Sequence, residues 1–135
     1  MRHNQDIGRA GEFLAAYILE TFGVECHHVD RAGADLWCKV RGTLTYVEVK
    51  TSSGPRCSRF GRGDDFRYSF HTTRVKDAPW HCFVALDRRL LLMRPTARLR
   101  NATHIPEDGF TEDAQRRSVE EFLANPLVDI EQGDA

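Results

Sequence analysis

Thr45-Tyr46-Val47-Glu48-Val49-Lys50-Thr51 is the stretch on which the fold turns. Its β-branched and aromatic residues predict a strand, and a strand sends alternate side chains to opposite faces. Val47 and Val49 therefore enter a core, while Glu48 and Lys50 stand together on the other face, roughly 7 Å apart along it. A sheet face covered by other elements is normally apolar, so a carboxylate and an ammonium there need a purpose. A metal site is one. A cross-strand ion pair on a solvated face is the other.

Working outward from this strand, the chain before it reads as a helix followed by a β-meander. Ile7, Phe13, Leu14, Tyr17, Ile18 and Phe22 recur mostly at three- and four-residue steps, which predicts an amphipathic helix, with Asp6 as its N-cap and Gly23 as its stop. A strand from Val24 to Val29, a turn over 30–33 and a strand from Ala34 to Val40 come next. Arg41-Gly42-Thr43 then turns the chain into Leu44 to Thr51. Beyond it, residues 52–65 are rich in Gly, Ser and Arg without periodicity and predict a flexible basic loop. Phe66 to Phe70 predicts a short strand, His71 to Ala78 a helical turn, and Trp80 to Leu86 with Leu90 to Met93 a hairpin. Thr111 to Ala124 has helical spacing, stopped by Asn125-Pro126, and 125–135 reads as an acidic, frayed tail.

The composition sets bounds on this picture. A chain of 135 residues, 41% hydrophobic and 29% charged, suits one domain with a real core, spanning 1–135. No apolar run approaches the ~20 residues of a membrane helix, and the N-terminus lacks a signal-peptide core, so a cytoplasmic protein without a membrane partner is expected. Cys26, Cys38, Cys57 and Cys82 form no CxxC pair and read as free thiols of a reducing compartment; a zinc site of Cys26, His27, His28 and Cys38 is the weaker reading. The net charge of −1 conceals a segregation. Residues 54–100 carry 11 Lys/Arg against 4 Asp/Glu, a net of +7, whereas 101–135 carry 2 against 9, a net of −7. A polyanion can dock on the middle segment, because phosphate binding follows the local field.

Glu12 on the first helix, Asp35 opening the second strand, and Glu48 with Lys50 on the third now form a constellation. Neighbouring antiparallel strands lie about 5 Å apart, so Asp35 and Glu48 can converge on a hard cation such as Mg²⁺, with the Val49 carbonyl as a further oxygen ligand. Lys50 beside such a cation would position or help to deprotonate an attacking water, or offset charge on a phosphate. That chemistry suits hydrolysis of a phosphodiester. Gly8 and Gly11, costly inside a helix, imply close approach either of a sheet or of a phosphate.

Gly8-Arg9-Ala10-Gly11-Glu12, Gly33-Ala34-Asp35-Leu36 and Val47-Glu48-Val49-Lys50-Thr51-Ser52 together resemble the three successive motifs of the PD-(D/E)XK nuclease superfamily, closest to its archaeal Holliday-junction-resolvase-like branch. The resemblance covers about residues 7–52. It implies a restriction-endonuclease-like α/β core, a mixed central sheet flanked by helices, and a metal-dependent endodeoxyribonuclease that is structure-selective. It further implies Asp35 and Glu48 as Mg²⁺ ligands, with Mn²⁺ able to substitute, Lys50 as catalytic residue and Glu12 in support. Ala34 stands where many members have proline, and the acidic tail departs from the basic balance usual in resolvases. The alternatives are a non-catalytic nucleic-acid-binding module on the same fold, or an RNase or toxin-like nuclease.

For the substrate, Thr51 and Ser52 offer hydroxyls, and Arg56, Arg59, Arg62 and Arg67 interleave with aromatic residues, a composition that grips nucleic acid, here DNA. His27, His28, His71 and His81 read as core or surface residues, and Trp37 and Trp80 as core or interface anchors. Val119, Phe122 and Leu123 give the last helix an apolar strip that covers the sheet or joins a second subunit; cutting two strands symmetrically would be served by a C2 homodimer. The acidic tail is expected to screen the basic loop until nucleic acid displaces it.

Overall fold

The computed structural model describes residues 4–31, 34–57, 66–72 and 78–128. Helix α1 spans Asn4–Thr21 and is followed by strands β1 (Glu25–Arg31), β2 (Ala34–Val40), β3 (Thr43–Ser52), β4 (Arg56–Cys57), β5 (Phe66–His71), β6 (Trp80–Ala85), β7 (Leu90–Pro95) and β8 (Ala102–Pro106), and by helix α2 (Glu112–Ala124). Five strands form a mixed sheet in the order β1-β2-β3-β6-β7, and β4-β5-β8 form a second, three-stranded one. The fold is α/β, with a mixed central sheet flanked by helices. Among the described residues no helix is long and apolar enough to cross a membrane.

The meander expected around β3 is present. Arg41 and Gly42 both have positive φ, 50° and 87°, between the paired Val40 and Thr43, the geometry of a two-residue turn whose twist suits a hairpin. β3 alternates buried Thr45, Val47 and Val49 with half-buried Tyr46, Glu48 and Lys50. After the excursion through β4 and β5 the chain returns as β6, parallel to β3 and in register from Val47 opposite Trp80 to Ser52 opposite Ala85.

Each face of the central sheet has its own core. On one, Leu36, Cys38, Val47, Val49, Trp80, Cys82 and Val84 meet Ala15, Ile18 and Leu19 of α1 and Val119 and Phe122 of α2. On the other, Phe83, Ala85 and Leu92 meet Tyr68, Phe70 and Ile105 of the second sheet, with Phe110. Helix α2, capped by the Thr111 hydroxyl accepting from the Ala114 N–H, runs along β7. Gln115 Oε1 accepts from the Leu91 N–H at 2.9 Å and Ser118 Oγ from the Met93 N–H at 3.0 Å. The outer strand's unpaired donors are thus satisfied by the helix, which closes an edge otherwise open to pairing.

Several expectations are corrected. Asp6 sits inside the first turn of α1, not before it, where its charge still favours the positive helix end. Phe13 and Tyr17 are 52% and 68% exposed, and Phe13 instead packs on the His28 ring at 4.5 Å. Gly11, Ala15, Ile18 and Leu19 face inward because small residues let the helix lie close to the sheet. Ser52 closes β3 and Arg56–Cys57 form a strand, within the span expected as a loop. His71 ends β5, while the rest of the helical turn expected after it, over 73–77, lies outside the described residues, as does most of the acidic tail. Strand β8 was not expected from the sequence.

Candidate active site

The ladder between β2 and β3 starts at Val40 opposite Thr43 and ends at Leu36 opposite Val47. Two residues past its end the Val49 N–H donates not to a main-chain carbonyl of β2 but to Asp35 Oδ2 at 2.8 Å. The carboxylate of Asp35 therefore substitutes for a backbone acceptor and is fixed beside β3. Both main-chain groups of a strand residue point to one side, so the Val49 carbonyl is directed toward Asp35 as well.

Glu48 lies beside this carboxylate and forms an ion pair with Lys50, Nζ to Oε1 at 3.4 Å, the two side chains 13% and 27% exposed. Burial raises the Glu48 pKa above its ordinary value and Asp35 raises it further, while Lys50 opposes both. Glu12 reaches the same place from α1. Its pKa is pushed up to about 7, first by burial, then by Asp35 and Glu48, against a lowering by Arg9. Three carboxylates from three elements thus repel one another at a site with too little solvent to screen them. Among the described residues, no three His, Cys, Asp or Glu side chains stand close enough to hold an ion together in this arrangement, where Glu48 is turned to Lys50. The donor set still fits a hard divalent cation: only oxygen donors, anionic, mutually repelling, and one already anchored.

The glycine of the first motif has a packing cause. A Cβ on Gly11 would stand 1.8 Å from Thr51 Oγ1 and 2.7 Å from Thr51 Cβ, so only glycine lets α1 lie this close to β3 and bring Glu12 to the strand ends. Thr51 Oγ1 is in turn buried, without a partner among the described residues. The hydroxyl expected to contact substrate is turned inward beneath the helix. Gly8 has open space around it and lines a cleft of about 450 Å³. Ser53, Arg56, Ser69, His71 and His104 line it too, on the face of the second sheet turned from the core. Ser52 Oγ is engaged with Gly54, donating to its carbonyl at 2.9 Å. Arg56, which lines this cleft, is the cross-strand partner of Arg67. Arg59 and Arg62 lie outside the described residues.

One residue that sequence reasoning assigned to core or surface belongs to the site's inner wall. His81 on β6 is directly opposite Glu48 and fully buried, and among the described residues its Nε2 has no hydrogen-bond partner. Its pKa is depressed to about 4, first by burial and then by the Lys50 charge, so the ring is neutral. The sequence held no local signal of this, because it depends on the parallel pairing of β3 with β6 across the intervening strands.

The other candidates separate from the site. Cys26 and Cys38 are cross-strand partners with sulfurs 3.6 Å apart, as free thiols, and this contact, followed by burial, raises the Cys38 pKa. His27 stacks on Trp37 at 4.2 Å and bonds Glu25, and His28 contacts Phe13, so the expected zinc ligands do not converge. Trp80 is a core residue, packed edge-on against Phe122 at 5.3 Å, with its Nε1–H donating to the Asn125 carbonyl.

No protein-family profile matches the sequence, and no curated protein matches it. Among solved structures, the chain is similar to a bacterial homing endonuclease, I-Ssp6803I, with 16% identity and a TM-score of 0.64 over 93% of this chain and 100% of that one. The fold described above is therefore one that a nuclease also adopts.

Proposed function

We propose that this chain is a metal-dependent endodeoxyribonuclease of the PD-(D/E)XK type. The observation that carries the reading is the convergence of Glu12, Asp35 and Glu48 at the end of the β2–β3 ladder with Lys50 alongside. Its occurrence on a fold shared with a homing endonuclease adds support. Asp35 and Glu48, with the Val49 carbonyl, would hold Mg²⁺ or Mn²⁺, which when bound supplies a lowered water pKa and neutralises phosphoryl charge. Asp35 acts as the anchor, since its Oδ2 is held by the Val49 N–H. Glu12 adds charge to the site when deprotonated. Lys50, released from Glu48, orients the attacking water or stabilises the phosphate oxygens.

Nucleic acid as substrate is favoured by the adjacent arginines Arg56 and Arg67, by the polar cleft leading away from β3, and by the basic middle third of the sequence. Selectivity for branched DNA and a homodimer are the finer expectations of the resolvase-like resemblance. A digestion panel of linear duplex, single-stranded, flap and four-way-junction DNA, with RNA alongside, in Mg²⁺ and Mn²⁺, tests them together. Asp35→Asn keeps an oxygen for the Val49 N–H yet loses the charge, so it should fold normally and cut on the order of a hundredfold more slowly or worse, roughly 3 kcal/mol of transition-state stabilisation. Unimpaired cutting by Asp35→Asn and by Lys50→Ala would sink the assignment.

A further inference from the structure

Thr96 has a single hydroxyl proton, and it goes to the Ala78 carbonyl at 2.6 Å. The contact of 2.8 Å between Thr96 Oγ1 and His81 Nδ1 must then be donated by the imidazole, which fixes the proton on Nδ1. Nε2 is left as a bare lone pair on a ring with no solvent exposure, and among the described residues nothing donates to it. A buried acceptor held in one tautomer by two successive hydrogen bonds is prepared for a donor that arrives in another state of the protein.

The neighbours identify that donor. Glu48 is directly opposite His81 and offers only acceptors when ionised, and Phe83, next on the same face, offers none. Arg94, opposite His81 on β7, lines a separate cleft with Arg98 and Arg117 beside α2. Lys50 is one position further along the same face of β3, and its charge acts on the His81 ring. It carries three N–H donors, one of which is directed to Glu48 here.

We propose that His81 is a positioning residue for Lys50: when Glu48 leaves the ion pair, the His81 Nε2 lone pair accepts from the Lys50 ammonium and holds it in place. This deepens the nuclease reading and rests on it for the part concerning catalysis. The hydrogen bond itself is a separate claim about two side chains. Neutral imidazole suits the task, since it can hold an ammonium without itself competing for the substrate's charge.

Nitrogen-15 NMR of the ring tests the bond without metal or DNA. In Glu48→Ala, Lys50 loses its charged partner and no new donor is introduced opposite the ring, and His81 Nε2 should move upfield as its lone pair becomes engaged. The double variant Glu48→Ala/Lys50→Met should not show that shift. Equal Nε2 shifts in the two proteins would overturn the proposal. In cleavage, His81→Phe should lower kcat about tenfold or more with KM for DNA unchanged, the loss of a hydrogen bond to a charged group. His81→Gln, which retains an amide donor for Thr96 and a carbonyl acceptor, should recover part of it and guards against a misfolded phenylalanine variant. Parent-like kcat in folded His81→Phe would also overturn it. If the parent cut no nucleic acid, the nuclease reading would fail while the ring spectra still decided the His81–Lys50 bond.

Discussion

Strands β3 and β6 run side by side, parallel and in register, yet they differ in kind. All six residues of β6 are buried, and every one of them packs. In β3, alternate residues are only half-buried, and those include Glu48 and Lys50. The difference lies in what covers them. The second sheet closes over Phe83 and Ala85 on β6, while the same face at β3 stays partly open. β6 is thus the support, its burial giving the rigidity against which the half-covered Glu48 of β3 can be held close to Asp35 at an energetic cost.

The largest expected effect breaks the support without touching the chemistry. Trp80→Ala removes a ring packed against Phe122 and deletes the Nε1–H bond to Asn125, in a strand with no room to collapse around a cavity. A loss of about 3–5 kcal/mol is expected for this change, read as a lower denaturant midpoint. Cleavage per folded molecule should survive at low temperature. Loss of cutting in fully folded Trp80→Ala would mean that β6 shapes the site more directly than by supporting it.

A smaller effect separates two glycines of the same helix. Gly8→Ala meets open space, so only helix propensity changes, a gain of up to about 1 kcal/mol. Gly11→Ala receives the same gain but drives its Cβ to 1.8 Å from Thr51 Oγ1, and rotating that side chain does not clear the 2.7 Å approach to Thr51 Cβ. Overpacking of this sort costs about 1–3 kcal/mol, so the net sign reverses. Thermal unfolding should place Gly8→Ala at or above the parent and Gly11→Ala below it. Thr51→Ala in the second background should restore much of the loss, since Oγ1 and Cγ2 make two of the three close contacts.

These residues also show what a sequence can disclose. The alternation in β3 was legible because period two is local, and the order Glu12, Asp35, Glu48, Lys50 was legible because each motif is short. Weighting large apolar residues turns Phe13 and Tyr17 inward, whereas the buried stripe joins Ile18 and Leu19 to Gly11, Ala15 and Ala16, small residues whose value is closeness, not area. β8 escaped notice because Ala102–Pro106 is short, follows an irregular stretch, and contributes only Thr103 and Ile105 to the interior. His81 was illegible for a different reason. Its place opposite Glu48 is a non-local consequence of parallel pairing, which no window along the chain contains.

The smallest expected effect sharpens the comparison at the open end of β3, and its sign follows from proton linkage. Glu12 has its pKa raised from 4.5 to about 7, so between those values the folded protein binds more protons than the unfolded chain. Stability of the metal-free protein must then fall as pH rises through that window and level off above about 7, with no penalty below 4.5. Glu48, raised for the same reasons, adds in the same direction. Glu12→Gln removes one repelling charge; it should flatten the fall and unfold at a slightly higher temperature than the parent at pH 8, with little difference at pH 4. The same proton opposes a cation, because a ligand must be deprotonated to contribute its charge. Mg²⁺ affinity of the parent, measured by calorimetry, should therefore rise from pH 6 to pH 8 with proton release, and Glu12→Gln should show weaker binding with less of that rise. An unchanged pH dependence of both stability and Mg²⁺ binding in Glu12→Gln would remove Glu12 from the site and leave β2 and β3 to form it alone.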